Sequence, residues 1–297
     1  MKKALKLVGY VLATVVALVA LALISVYLLS NRKLNKSYPV SVQPVVIPTG
    51  SEALGRGQLI AATRGCADCH GADLAGATII DNPAMGRLSG PNLTRGRGGL
   101  PASFTDIDLV RSIRHGVAPD GRGLFLMPSS DFSEFTDQDM GDLIAYIDSL
   151  APVDRASVPL TIGPVARGLL VAGKIKLSAE LIDHAGVRPA TVQPGVTVAY
   201  GHYLAAGCTG CHGPNLSGGK IDIGPPDWPP AQNLTPAGDL AKWSEADFIM
   251  SLRKRTRPDG SPLNEVMPAA FGLMNDTELK AIWAYLRTLP PAPTGKR

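Results

Sequence analysis

All four cysteines of this 297-residue chain lie in two pentads of the pattern Cys-x-x-Cys-His. Two thiols one helical turn apart can each form a thioether with one vinyl group of a porphyrin. The histidine after the second thiol can then supply an axial nitrogen to the iron. Because no cysteine is left over, the spacing predicts two covalently bound haem c groups. The predicted attachment residues are Cys66, Cys69, His70, Cys208, Cys211 and His212.

Two other uses of paired cysteines were considered. One four-thiolate zinc site usually has its pairs within about 15–20 residues, whereas Cys69 and Cys208 are 139 apart. Zinc also gives no reason for a histidine after each pair. A thioredoxin-like dithiol is expected in a βαβ context, and neither flank has one. The pattern therefore favours haem over zinc, a redox dithiol or structural disulfides.

The sixth ligand of each iron is predicted from recurrence. Of seven methionines, only Met127 and Met267 repeat, 61 and 59 residues after the first cysteine of their pentads, and each precedes a proline. Proline fixes its own φ and keeps the preceding residue extended, which suits a loop that presents a thioether. The alternative is that both are core methionines. The predicted iron ligands are His70, Met127, His212 and Met267.

An internal repeat carries these residues. Asn92-Leu93-Thr94 recurs as Asn233-Leu234-Thr235, and both the Met-Pro pair and a Pro-Asp-Gly turn recur at shifts of 140 and 139 residues. Constant order with a small drift is expected of a duplicated domain. The predicted division is 1–30 cytoplasmic amino terminus and transmembrane anchor, 31–50 periplasmic linker, 51–150 first domain, 151–198 connector and 199–297 second domain.

Each domain is predicted to be all-α. Helices should begin near Glu52 and Val198, at Thr105 and Ser244, and at Thr136 and Asn275, which are residues typical of helix amino termini. Gly57 and Gly201 would let another helix approach closely. The Gly/Pro-rich stretches 71–101 and 213–236 are predicted to be loops. A haem would supply the apolar surface that such loops need.

The amino-terminal segment predicts a membrane anchor. Leu7 to Ser30 is 24 residues without a charge, enough to span about 30 Å of hydrocarbon. Lysines and arginines flank it almost equally, so the positive-inside rule is nearly tied. Haem attachment instead favours a single-pass protein of the bacterial inner membrane with periplasmic haem domains. A cleaved signal peptide is the alternative.

The charge distribution argues against nucleic acid as a partner. Six basic residues flank the apolar segment, and the remaining chain has 23 Lys+Arg and 25 Asp+Glu, a net charge of −2. Residues 51–150 carry a net charge of −5 and residues 199–297 a net charge of +1. This asymmetry allows different steering of two redox partners.

The connector 151–198 matches neither repeat. Its five prolines exclude one long helix, and its apolar residues between Val165 and His184 are too many for a free linker. We expect the connector to pack along the haem domains, with His184 as a hydrogen-bonded structural histidine.

Pentad, Asn-Leu-Thr, Met-Pro and a final helix with a tyrosine, in that order, resemble the class I cytochrome c fold. The chain as a whole is similar to membrane-anchored dihaem cytochromes c and to the cytochrome subunits of membrane-bound bacterial dehydrogenases. Those subunits commonly hold three haems, and this chain has two pentads. The resemblance implies that Asn92 and Asn233 lie beside a haem edge or its propionates. A plain turn role is the alternative.

The function expected from the sequence is single-electron transfer in a respiratory chain, with no catalytic residues. The expected donors are a dehydrogenase or a quinol-oxidising complex, and the expected acceptors an oxidase or a small cytochrome. The chain would be a carrier rather than an enzyme, either alone or as the electron-transfer subunit of a dehydrogenase complex. Two other classes stay open: a dihaem peroxidase-like enzyme and a haem-based gas sensor.

Overall fold

A computed structural model of the chain describes residues 2–221 and 227–295. In order, its helices are α1 Lys2–Leu34, α2 Ser51–Thr63, α3 Cys66–His70, α4 Asp106–His115, α5 Asp137–Asp148, α6 Pro164–Val171, α7 Val198–Ala205, α8 Thr209–His212, α9 Glu245–Lys254 and α10 Asp276–Leu286. Its strands are β1 Ala75–Asn82, β2 Gly86–Asn92 and β3 Thr161–Ile162. Short 3-10 turns are Ser129–Asp131, Ser178–Glu180, Ala206–Cys208, Asp239–Lys242 and Ala269–Leu273.

The chain forms two compact units, each assembled from separate segments. Unit 1 consists of Met1–Gln43, Cys69–Ser130 and Val153–Ala185, and unit 2 consists of Pro44–Asp68, Asp131–Pro152 and Gly186–Arg297. Unit 2 therefore contains α2 and α5, from the first repeat, together with the described second repeat. The sequence-based domain boundaries stay a prediction.

Two helix pairs in unit 2 cross at glycines. Helix α2 packs on α5, and α7 packs on α10. A Cβ added at Gly57 would lie 2.1 Å from the Asp142 carbonyl oxygen, and one at Gly201 would lie 1.9 Å from that of Ala281. Real side chains cannot approach so closely. The predicted close helix approach at both glycines is confirmed.

The predicted helix starts are also found. Asp108 accepts a hydrogen bond from the Thr105 backbone N–H (3.0 Å), and Asp247 accepts one from that of Ser244 (2.9 Å). These reciprocal contacts satisfy amide groups that have no partner inside the helix. The carboxylates also stabilise the positive end of the helix dipole. Hydrogen bonds from the backbone N–H and the hydroxyl of Ser244 hold the pKa of Asp247 below its usual value.

The expectation of an all-α fold is corrected in residues 75–92. Strands β1 and β2 pair antiparallel, with an irregularity between Thr78 and Ile80, and β3 pairs antiparallel with β2. The stretch was predicted to be a loop because its glycines and prolines outweighed the run Thr78-Ile79-Ile80, whose β-branched side chains favour a strand. The corresponding stretch of the second repeat, from His212 to Asn233, is one residue shorter than that from His70 to Asn92, and its described part has one isolated bridge between Gly219 and Ala231.

The part of the connector in unit 1 is ordered by apolar packing. Leu170, Leu177 and Ala179 are buried in one cluster with Tyr38 and Val117. Helix α6 also packs against α1. Because Leu170, Leu177 and Ala179 are fully or almost fully buried, this part of the connector contributes to a core and is not a free linker.

Helix α1 is long and apolar enough to cross a membrane, and the apolar window of its 33 residues has no part buried in the protein. Length and composition alone fit either a membrane-spanning anchor or a signal sequence. Its large exposed side chains, from Leu5 to Leu29, leave an apolar surface that water solvates poorly.

Candidate haem sites

Four predicted site residues of the second repeat line one cavity. A space of about 330 Å³ opens between Cys208, Cys211 and His212 on one side and the Met267 loop on another. The apolar wall residues are Ile221, Leu234, Leu240, Trp243, Phe248, Leu252, Leu263, Phe271, Ile282 and Leu286. The structure therefore brings all four predicted residues of this repeat to one apolar cavity, which suits a porphyrin.

Both pentad histidines are oriented by a backbone carbonyl. His212 Nδ1 lies 2.7 Å from the Gln232 oxygen, and His70 Nδ1 lies 2.8 Å from the Pro91 oxygen. Such a bond places the proton on Nδ1 and leaves Nε2 with its lone pair for a metal. The contacts arise because each carbonyl directly precedes the Asn-Leu-Thr segment of its repeat. Each imidazole is thus prepared to bind iron.

The histidine environments also favour the neutral ring. Burial lowers the pKa of His70 and that of His212, and the carbonyl contact opposes this shift in each. A buried imidazolium would lose hydration without a compensating anion. Neutral imidazole is the form that coordinates a metal.

The cysteines of the second pentad lie in the apolar wall. Burial raises the pKa of the Cys208 thiol to about 11 and raises that of Cys211 as well. None of the four cysteines, all among the described residues, forms a disulfide. A protonated thiol is a poor nucleophile for thiol exchange. It suits permanent thioether attachment better than thiol exchange.

Arg255 holds the Met267 loop, a role that sequence reasoning missed. Its guanidinium donates to the Met267 carbonyl oxygen, and a second N–H donates to the Asn264 oxygen at 2.8 Å. Arg255 ends α9 in the left-handed region with φ 58°, where a residue with a Cβ is disfavoured. The charge-assisted hydrogen bonds offset that cost. The one available signal was that Gly116 occupies the corresponding position of the first repeat, with φ 64°.

The Met127 loop of the first repeat is held differently, inside unit 1. The Ser178 hydroxyl donates to the Met127 carbonyl oxygen at 2.9 Å, and the Ser129 hydroxyl donates to the Ser112 oxygen at 2.8 Å. A Cβ at Gly116 would contact the Cβ atoms of Ser129 and Ser178 at 3.1 Å. Glycine at this helix end therefore lets the connector approach the methionine loop. No sequence pattern indicated Ser178.

The two Asn-Leu-Thr segments are structural clamps. The buried Asn92 side chain donates to the oxygens of Val153 (2.9 Å) and Arg155 (3.0 Å) and accepts from the Thr94 N–H. Asn233 likewise donates to the Ala292 oxygen (2.8 Å) and accepts from the Thr235 N–H. Each asparagine thus fixes the chain that follows the last helix of its repeat. These contacts engage both the nitrogen and the oxygen of each side-chain amide.

The three histidines outside the pentads have other partners. His184 Nδ1 lies 3.1 Å from His115 Nδ1, and its Nε2 lies 3.0 Å from the Ala179 oxygen. The His202 ring stacks at a tilt on Tyr285, with centroids 4.9 Å apart. His184 is hydrogen-bonded, as expected.

The cavity wall of the second repeat also offers polar groups for a carboxylated porphyrin. Arg257 contributes a cation to the wall, and a guanidinium pairs well with a carboxylate. Ser251 is buried in the same wall, and its hydroxyl has no hydrogen-bond partner among the described residues. A buried hydroxyl without a partner costs stability, and an occupant with polar groups removes that cost. The residues present therefore fit haem.

Comparison with known proteins agrees with this geometry. The model of the family described as Cytochrome c matches residues 54–151 and 198–290. The chain belongs to the cytochrome c family. Membership implies covalently bound haem c, and the two matched regions contain one pentad each.

Relatives of this cytochrome are named as cytochrome subunits of dehydrogenases or as a dihaem cytochrome c. It is 27% identical to the fructose dehydrogenase cytochrome subunit of Gluconobacter japonicus, with 84% of this chain and 55% of the relative covered. It is 29% identical to the cytochrome c subunit of the quinone alcohol dehydrogenase of Komagataeibacter europaeus, with 82% of this chain and 57% of the relative covered. It is 28% identical to a "Diheme cytochrome c-type" protein of Cereibacter sphaeroides, with 85% of this chain and 91% of the relative covered. The chain thus spans little more than half of the two dehydrogenase subunits.

Proposed function

We propose that this cytochrome is a dihaem carrier of single electrons. One haem would be held by Cys66, Cys69, His70 and Met127, and the other by Cys208, Cys211, His212 and Met267. The bound haems supply one-electron redox chemistry through their irons. The proposed cytochrome c domains are residues 51–150 and 199–297, with 151–198 as a connector that packs on them.

The observation that carries this proposal is the cavity of the second repeat. His212 lies in one wall with its Nδ1 committed to a carbonyl, and Met267 lies in the same cavity on a loop fixed by Arg255. If His212 and Met267 both bind the iron, it would have no place for a substrate. The protein then contributes orientation, ligand strength and exclusion of water. This arrangement favours electron transfer over bond chemistry.

We further propose that α1 is retained as an anchor in the bacterial inner membrane, with the haem domains in the periplasm. The uncharged segment is longer than the 7–15-residue apolar core of a signal peptide. If the anchor is retained, the full-length protein remains with membranes after carbonate extraction and its intact mass includes residues 2–30. A soluble protein whose amino terminus lies near residue 31 or later would contradict retention.

The proposed electron donor is a dehydrogenase or a quinol-oxidising complex, and the proposed acceptor is an oxidase or a small cytochrome. Relatives named as cytochrome subunits of fructose, alcohol and gluconate dehydrogenases support a role as an electron-transfer subunit. The net charges of −5 and +1 on the two domains would steer partners of different charge to each domain.

A spectroelectrochemical titration of the full-length protein tests the proposed function. We expect two one-electron transitions, low-spin spectra in both oxidation states and a near-infrared sulfur-to-iron charge-transfer band in the oxidised protein. A high-spin haem, or one without methionine ligation, would instead favour the peroxidase-like enzyme or the gas sensor.

A further inference from the structure

The connector helix α6 is apolar on nearly every side. Its sequence, Pro-Val-Ala-Arg-Gly-Leu-Leu-Val, has Arg167 as its one charged residue. Ala166 and Leu170 are fully buried in unit 1, whereas Pro164 and Val165 are exposed, Val165 by 49%. A helix at a water-exposed surface normally has a polar outer face. The outer face of α6 has none.

Arg167 does not supply that polar face because it turns inward to α1. Its guanidinium donates to the Ser30 hydroxyl and to Asn31 Oδ1, both at 2.8 Å. It also lies over the ring of Tyr27, 4.6 Å from its centroid. Lys33 donates to the Leu170 carbonyl oxygen at 2.9 Å. Helix α6 is thus fixed to the last two turns of α1.

These contacts set the depth of α6 relative to a bilayer. Counted from Leu7, about 30 Å of helix, the thickness of a hydrocarbon core, ends at Tyr27. Tyrosine is also typical of the membrane interface. Arg167 reaches Tyr27 to Asn31 while Leu170 lies by Lys33, so the amino-terminal end of α6 is the end nearer the bilayer.

A hairpin turn extends the same apolar surface. The turn between β1 and β2 accepts hydrogen bonds from the start of α6, with the Val165 N–H 3.0 Å from the Ala84 oxygen and the Gly163 N–H 2.9 Å from the Met85 oxygen. Leu160, just before β3, is 42% exposed. The hairpin–helix face comprises Pro83, Ala84, Leu160, Pro164 and Val165, all exposed and uncharged.

We propose that the hairpin–helix face rests in the interface of the outer leaflet of the membrane that α1 spans. The proposal depends on the retained anchor proposed above. Its occupant is lipid because the face is continuous with the end of α1 and is held by Arg167 at the depth of headgroups and the first acyl carbons. Apolar side chains at that depth gain from partial burial in lipid. Unit 1, which carries His70 and Met127, would then lie at the membrane surface.

Photocrosslinking of the full-length holoprotein in nanodiscs of phosphatidylethanolamine and phosphatidylglycerol tests this contact. Three variants carry p-benzoylphenylalanine: Val165→p-benzoylphenylalanine in the face, Leu18→p-benzoylphenylalanine in the anchor, and Val187→p-benzoylphenylalanine at a valine that is 95% exposed. Each is accepted only with two haems per chain and the wild-type absorption spectrum. After illumination, mass spectrometry of peptides scores lipid adducts.

We expect lipid adducts at positions 165 and 18 and none at position 187. Lipid adducts at 18 without any at 165 would overturn the surface contact and leave the anchor standing. Equal labelling at 165 and 187, or a protein crosslink at 165 in place of lipid, would also overturn it. No lipid adduct at 18 would overturn the anchor and the surface contact together.

Discussion

At the scale of residues, the two methionine loops are held by different contacts. Ser178 from the connector holds the Met127 carbonyl, whereas Arg255 from the end of α9 holds the Met267 carbonyl. The serine hydroxyl forms a neutral hydrogen bond and the guanidinium a charge-assisted one, which is roughly twice as strong. The Met267 loop should therefore depend strongly on one side chain.

Replacing Arg255 with glycine isolates that dependence. Glycine accepts the φ of 58° without strain, so Arg255→Gly removes the hydrogen bonds while it relieves the backbone. Hydrogen bonds from a charged donor contribute about 1.5–3 kcal/mol each. We expect one haem to lose its sulfur-to-iron band at lower temperature than in the wild type, with the other haem unchanged.

Lys254→Ala is the matched control for Arg255→Gly, because it removes one positive charge from the neighbouring residue. Thermal melts followed at the near-infrared band compare the two variants. Equal melting of the band in Arg255→Gly and wild type would contradict the role of Arg255 in holding the loop.

At the scale of elements, the helix crossings at Gly57 and Gly201 predict that an added methyl group at either position lowers stability. A Cβ at either position would collide with backbone oxygen, at 2.1 Å from Asp142 and 1.9 Å from Ala281. Gly57→Ala and Gly201→Ala should each lower the free energy of unfolding by about 2–3 kcal/mol, because helices must separate to admit a methyl group. Denaturant unfolding followed by haem absorbance measures the loss.

Gly55→Ala provides the control within the same helix. A Cβ at Gly55 meets nothing within 4 Å. Alanine there should stabilise α2 by about 0.5–1 kcal/mol, since glycine is a poor residue in a helix interior. If Gly57→Ala were as stable as Gly55→Ala, the close crossing of α2 and α5 would be wrong.

A second contact of α5, within unit 2, predicts a pH dependence. The Tyr203 hydroxyl donates to the Asp139 carboxylate. Burial raises the pKa of Asp139 above its usual value, and the tyrosine bond only partly opposes this shift. Because the folded chain binds this proton more tightly, the contribution of Asp139 to stability is full below about pH 3.9 and is lost as pH rises through the folded pKa.

Asp139→Asn removes this titration. The free energy of unfolding of the wild type minus that of Asp139→Asn should therefore fall as pH rises from about 4 towards neutrality. Urea unfolding of both proteins across that pH range measures the difference. A difference that stays constant, or that rises with pH, would contradict the raised pKa.

The elements also mark where sequence reasoning succeeds and fails. The helix starts at Thr105 and Ser244 could be predicted because a capping residue lies next to the helix that it begins. The close helix approaches at Gly57 and Gly201 could be predicted because a glycine inside a helix indicates a position where a side chain does not fit. The sheet at 75–92 was missed, since its glycines and prolines gave a stronger local signal than three β-branched residues. The roles of Ser178 and Asn92 were missed or left open because each depends on a partner more than 50 residues along the chain. The role of Arg255 was missed because its contacts depend on how the loop after α9 folds back.

At the scale of the whole molecule, each of the two regions that match the cytochrome c family contains one Cys-x-x-Cys-His pentad and one Met-Pro pair. The pentads and the Met-Pro pairs could be predicted because haem attachment and iron binding require fixed residue types. In the second repeat, the four predicted haem-binding residues line one cavity. Saturated irons are the central claim, because they separate an electron carrier from an enzyme or a sensor.

Counting the carbon monoxide bound per reduced chain tests that claim most directly. We expect none for the wild type and for the control Met250→Ala, whose methionine is 40% exposed on α9. One should bind to Met127→Ala, one to Met267→Ala and two to the double variant, because each substitution opens one iron. Stoichiometric binding to the wild type, or a single-methionine variant that binds none, would contradict methionine ligation at that haem.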